Sequence, residues 1–225
     1  MDATGRAQRR SDAAEHTIAA MAGYRALAAV GRSIVDLLNR RFTEVLPGPV
    51  RPGAVLATTR DFDEVNSSPN AVIQFPAVSV YCYRLSIDRE TRPGLASATN
   101  LDGLARLPLR MHLLIAAWDT VAESELEWLG LAGQVLESEG VLAGPLLHPS
   151  GDWDPSDLVS VVPDDVALDS MSEAFQALTT DYRVCLPYLA RVIRIDGRRS
   201  ATAERVSTVA AEVRPMPVLP GPVTP

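Results

Sequence analysis

The segment Arg106-Leu-Pro-Leu-Arg-Met-His-Leu-Leu-Ile-Ala-Ala-Trp-Asp119 constrains this chain more than any other. Leu109, Met111, Leu113, Ile115 and Ala117 alternate with Arg110, His112, Leu114, Ala116 and Trp118, the period of a β-strand. Both alternate sets end apolar, so the second half of the strand requires cover on both sides. A helix is expected directly after it. Thr120 and Glu123 are spaced as a capping box. Leu126, Leu129, Gly133 and Leu136 supply an apolar stripe, with Trp128, Leu131 and Val135 beside it. Gly130 and Gly133 lower helix propensity, which implies close backbone packing against the sheet. The strand-to-helix unit carries no catalytic side chains in useful positions and reads as scaffold.

The flanking sequence assigns the remaining elements. A helix is expected from Asp12, with Glu15 as capping partner, and its clearest stripe is Leu27, Val30, Ile34, Leu37, Leu38 and Phe42. Pro47-Gly-Pro49 stops it. Residues 49–70 read as turn-rich and polar. Val72 to Ile87 reads as one or two strands divided by Pro76, and residues 88–106 as a long polar loop. Residues 142–153 look irregular, and Leu158 to Val162 forms a short strand. Ser170 and Glu173 are a second candidate capping box, opening a helix faced by Met171, Ala174, Phe175 and Leu178. Tyr182 to Ile195 is a strand interrupted by Pro187. Few crossover helices and hairpin-like neighbours imply an α+β fold, with helices packed on a mainly antiparallel sheet. The expected organisation is an N-terminal arm or helix extension over 1–23, one α+β domain over 24–197, and a Pro-rich C-terminal arm over 198–225.

Composition removes several classes of function. The net charge of −7 argues against a nucleic-acid groove. The sequence contains no lysine, which removes Walker-type phosphate loops and Schiff-base chemistry. No apolar run is long enough for a membrane span. Arg9-Arg10 is followed by Asp12, Glu15 and His16, which break the apolar region a twin-arginine signal requires. The expected compartment is the cytoplasm. Cys82 and Cys185 lie in separate apolar stretches and read as free buried thiols, with a disulfide between them open only if the two strands are adjacent.

Candidate chemistry is sparse. His16, His112 and His148 have no metal-type spacing, and HExxH, paired-cysteine and GxSxG patterns are absent. Asp152-Trp-Asp-Pro-Ser-Asp157 opens like a calcium loop. It fails where Asp157 replaces the turn glycine and Pro163 the bidentate acid, so it reads as a turn. No catalytic residue, cofactor or metal ligand is assigned. An enzyme would need His112, His148 and the Asp152–Asp157 loop to converge. Arg84, Arg110, Arg191 and Arg194 are the candidate interface residues, with Arg191 and Arg194 expected on opposite faces of the last strand.

Taken in order, several of these segments resemble a known family. They are Ala26-Leu-Ala-Ala-Val-Gly-Arg-Ser-Ile-Val-Asp-Leu-Leu38, Val80-Tyr-Cys-Tyr-Arg84, Leu107 to Trp118, Glu127-Trp-Leu-Gly-Leu-Ala-Gly-Gln-Val-Leu136, Met171 to Leu178 and Tyr182 to Asp196. Together they are similar to the tail-terminator, or cap, proteins of phage-tail-like contractile injection systems of the antifeeding-prophage and virulence-cassette type. Arg110 and Phe175 depart from that pattern, which has an acid and a Trp there. The resemblance implies a non-enzymatic cap: a hexameric ring of this chain that terminates the inner tube and anchors the last sheath layer. Its partners would be itself, the sheath protein and the inner-tube protein, with neither nucleic acid nor membrane. An assembly adaptor or chaperone that binds tube protein transiently is the alternative.

Overall fold

A computed structural model describes residues 23–95, 105–176 and 183–197. The helix expected from Asp12, Leu178 and the Pro-rich arm lie outside these residues.

Helix α1 spans Ala26–Val45. Val30, Ile34, Leu37, Leu38 and Phe42 are buried along it, as their spacing predicts. Strand β1, Gly53–Ala57, follows within the stretch that reads as turn-rich and polar. Its residues include one Gly and two Ala, poor strand formers, so pairing with a neighbour fixes the conformation. That neighbour is β2, Ala77–Ile87, which starts just after Pro76 and runs parallel to β1. Strand β3, Arg106–Trp118, is followed by helix α2, Ala122–Ser138, and by the short β4, Val141–Ala143. Strand β5, Leu158–Pro163, helix α3, Leu168–Gln176, and strand β6, Cys185–Asp196, complete the order.

The strands form one six-stranded sheet in the order β1-β2-β3-β6-β5-β4. All pairs except β1–β2 are antiparallel, which gives the α+β class expected. Pro187 is tolerated inside β6 because its carbonyl accepts from the Asp164 N–H (3.0 Å), just past the last β5–β6 pair, Pro163 with Tyr188. A backbone carbonyl and amide of one strand residue point the same way, so the missing N–H falls where β5 has ended.

β3 lies between β2 and β6 and divides two cores. On one face Leu109, Met111, Leu113, Ile115 and Ala117 pack beneath α1 and α2. On the other, Leu114, Ala116 and Trp118 meet Phe62 and Ile73 from the β1–β2 connection, Phe175 from α3, and Cys185. The Trp118 indole N–H donates to Ser79 Oγ (2.8 Å), and the Arg183 guanidinium stacks 4.2 Å above the ring. Buried indole is thereby satisfied on its polar edge.

Local chemistry fixes the helices. An added Cβ at Gly31 would lie 2.9 Å from Leu56 Cδ1, so α1 sits on β1 through this glycine. Asn39 donates to the Ala54 carbonyl (2.9 Å) and accepts from the Ala54 N–H (2.8 Å), imitating a neighbouring strand on the outer edge of β1. Neither expected capping box forms. α2 starts at Ala122 behind Val121, and Asp119 instead accepts from the Thr120 N–H (2.6 Å) and the Trp128 indole N–H (3.0 Å). α3 begins two residues before Ser170. The buried line of α2 is Leu129, Ala132, Val135 and Leu136, while Leu126 is 60% exposed. Gly133 packs close to Leu186, but Gly130 faces open space.

Candidate assembly surface

The face of the sheet opposite α1 and α2 carries the polar groups. Two β-bulges determine which. Cys82 pairs with Leu113 while Arg84 pairs with His112, so one extra β2 residue moves Arg84 onto the His112 face. Leu109 pairs with Ile193 and Met111 with Ala190, so β6 also carries an extra residue. Arg191 then pairs with Ser160, and Arg194 with Pro108. Directly paired residues share a face. Arg84, Arg110, Arg191 and Arg194 therefore all lie on this one face. The expectation that Arg191 and Arg194 point to opposite faces is corrected by the second bulge, which shifts the side-chain alternation between them.

The four arginines are not equivalent. Arg110 Nη2 donates to Asp88 (2.7 Å), whose side chain is 2% exposed, and lies 3.4 Å from Glu90. Burial pushes the Asp88 carboxyl up. The Glu90 N–H, the Thr91 hydroxyl and the Arg110 charge more than offset that, and its pKa falls below the ordinary 3.8. Arg194 is bound to the buried Asp157. Arg110 and Arg194 thus neutralise interior carboxylates, whereas Arg84 and Arg191 project into solvent.

Beside Arg84 lies a cleft of about 600 Å³ lined by Tyr83, Arg84, His112, Asp164, Asp165 and Glu173, among others. His112 Nδ1 lies 2.8 Å from Asp164 and Nε2 lies 2.9 Å from Ser86 Oγ. This Ser–His–Asp chain has the connectivity of a hydrolytic triad. No sequence spacing announces it, because β2, β3 and the β5–α3 connection each supply one member. Ser86 is half-buried and lies off the cleft that His112 and Asp164 line. The chain of hydrogen bonds instead ties the Asp164 connection to the middle of the sheet.

The remaining polar candidates are dispersed. His148 donates its N–H to Ser33 Oγ on α1 (2.7 Å) and holds Ser150, on the opposite side of the sheet from His112. Asp154 accepts from the Ser156 N–H and hydroxyl, and Asp157 accepts from the Asp154 N–H, so this loop is a turn. His112, His148 and the Asp152–Asp157 loop do not converge. Among the described residues no three His, Cys, Asp or Glu side chains gather as a metal-binding set. Cys82 and Cys185 are free thiols on strands separated by β3, and burial raises both, Cys185 to about 11. None of the described helices is long and apolar enough to cross a membrane.

This chain has likenesses among solved structures and to a protein-family model. No curated protein matches it. Among solved structures, one similar protein is the PVC sheath/tube terminator, in its extended state, of an extracellular contractile injection system. The identity is 14%, the match covers 84% of this chain and 64% of that one, and the TM-score is 0.50. Another is the tube-terminating cap of the anti-feeding prophage, at 14% identity, 82% and 60% coverage and a TM-score of 0.46. The chain thus spans less than two thirds of the length of either protein. The family model of the Pvc16 N-terminal domain matches residues 29–208, and the chain belongs to that family.

Proposed function

We propose that this protein is a structural cap of a contractile injection system. It ends the inner tube and anchors the last sheath layer as a ring. The family match across residues 29–208 carries this reading, and the sheath/tube terminator fold supports it. The protein acts by contact and not by catalysis, with the sheath protein, the inner-tube protein and further copies of itself as partners. A hexamer is the stoichiometry the resemblance implies. A ring of identical subunits needs unlike surfaces that meet head to tail and close.

The arginine face is the part of this proposal with named residues. Arg84 and Arg191 are exposed, and guanidinium groups on a sheet surface suit carboxylate-bearing partners. The expected division into an arm over 1–23, a domain over 24–197 and a further arm over 198–225 is retained as a proposal, although the family match runs on to residue 208. The cytoplasm is proposed as the place of assembly into the particle.

Deletion of the gene from a producing strain, followed by electron microscopy of the particles, tests the cap. The expected result is tubes of uneven length with sheaths that detach or fail to persist. Particles of unchanged length with stable sheaths would overturn it.

A further inference from the structure

Among the described residues the helical layer over the sheet is incomplete. Leu85 pairs with Met111 and Ile87 with Leu109, and Leu107 pairs with Ile195. All six residues therefore share the face that α1 and α2 occupy. Met111 and Leu109 are buried, but Leu85, Ile87 and Leu107 are 48%, 45% and 38% exposed. They form an uncovered apolar end to β2, β3 and β6. Arg92 joins Leu107 and Ile195 in lining a groove of about 490 Å³ there, and Arg89 is exposed on the adjoining turn. The neighbouring Glu90 turns toward Arg110 on the other face. Arg106 and Asp196 also line the groove and pair with each other (3.1 Å), so among the described residues the excess charge at the border of the apolar end is positive.

The outer side of α2 has the opposite character. Glu123, Leu126, Glu127, Gly130 and Gln134 are exposed along it. Leu126 is 60% exposed, a poor position for a leucine with no neighbour. Gly130 is mid-helix, where glycine is unfavourable, and a Cβ there would meet nothing within 4 Å. Nothing among the described residues accounts for it. A glycine at such a point suits close approach by another backbone. The side is apolar at its centre and bordered by negative charge.

We propose that α2 of one copy seats Leu126 and Gly130 on the uncovered apolar end of the sheet of a neighbouring copy. Both surfaces have an apolar centre, and their borders carry opposite signs. A second copy is therefore the occupant that the molecule itself specifies. The contact joins unlike surfaces and so is heterologous, the type that closes into a ring. Glu123 and Glu127 of one copy meet Arg89 and Arg92 of the next. The inference rests on the ring reading above and gives it a subunit interface.

Two single-cysteine proteins test it, Leu126→Cys and Leu107→Cys, each with Cys82 and Cys185 replaced by Ala. Mixed and treated with a short bifunctional maleimide, they are expected to yield a cross-linked pair of two chains. Gly130→Trp in the Leu126→Cys protein should cut that yield about tenfold, the scale on which a blocked contact is lost. Glu127→Arg should lower it, and Arg92→Glu in the other protein should restore it. An oligomeric protein that gives no 126–107 cross-link would overturn this contact and leave the ring reading standing. A protein monomeric at every concentration, and in the particle, would overturn both. A Leu107→Cys that reacts only within its own chain would assign the apolar end to that chain and also overturn the contact.

Discussion

The two faces of β3 are built on different principles. Beneath α1 and α2, Leu113 and Ile115 are fully buried in an apolar layer that needs only matching volume. On the other face, Trp118 and Leu114 give way along the same strand to His112 and Arg110, each held by a specific partner from another segment. The first face tolerates error in direction but not in size. The second tolerates little error in direction, because a buried charge or ring nitrogen is costly without its partner. The helix face supplies the hydrophobic driving force, and the polar face holds its charges by specific pairing.

The largest loss of stability is expected from a mutation on the apolar side. Phe42→Ala empties a fully buried site between α1 and the sheet. A loss of about 3–5 kcal/mol is expected, read from urea or guanidinium unfolding. On the polar side, Arg110→Ala leaves the Asp88 carboxylate buried without its cation. Because Arg110 is partly exposed, the expected loss is about 2 kcal/mol, below that of a fully buried pair. It should also depend on pH. The folded pKa of Asp88 is depressed, so its contribution is fully present above the ordinary value of 3.8 and is lost as pH falls below it. The difference between wild type and Asp88→Asn should therefore shrink on acidification. A difference constant from pH 7 to acid would remove Asp88 from this role.

Much of the apolar side is legible in the sequence, because periodicity encodes it. The α1 stripe from Val30 to Phe42 and the two-sided burial of β3 follow directly from spacing. β1 does not, since Gly53-Ala-Val-Leu-Ala57 carries little intrinsic preference and is a strand only because β2 lies beside it. The polar face is less legible still. Its arginines share a side through two bulges, and a bulge depends on the partner strand's register, which no local pattern records. Ser86, His112 and Asp164 meet for the same reason. Leu126 fits the expected stripe of α2 by spacing. Ala132, Val135 and Leu136 set the face of the helix that meets the sheet, which leaves Leu126 outside.

A smaller effect tests the start of α2. Thr120→Ala is expected to change stability by less than about 0.5 kcal/mol, because Thr120 does not cap the helix. Its hydroxyl reaches only Asp119, at 3.3 Å. A loss near 1 kcal/mol, the usual scale for an N-cap, would place Thr120 back in a capping role.

The smallest effect on the isolated protein separates the arginines by task. Arg84 and Arg191 have exposed side chains, so Arg84→Glu and Arg191→Glu should each shift the unfolding midpoint negligibly. Arg110→Ala and the equivalent change at Arg194 should lower it, since those residues compensate Asp88 and Asp157. If the polar face meets carboxylate-bearing partners, the Glu variants should fold normally yet fail to incorporate into particles, because a reversed charge at a contact repels the partner that the arginine attracts. Incorporation at wild-type level by the Arg84→Glu, Arg191→Glu double variant would remove this face from the assembly surface. It would leave to the bulges no more than the burial of Asp88 and Asp157 beneath their arginines.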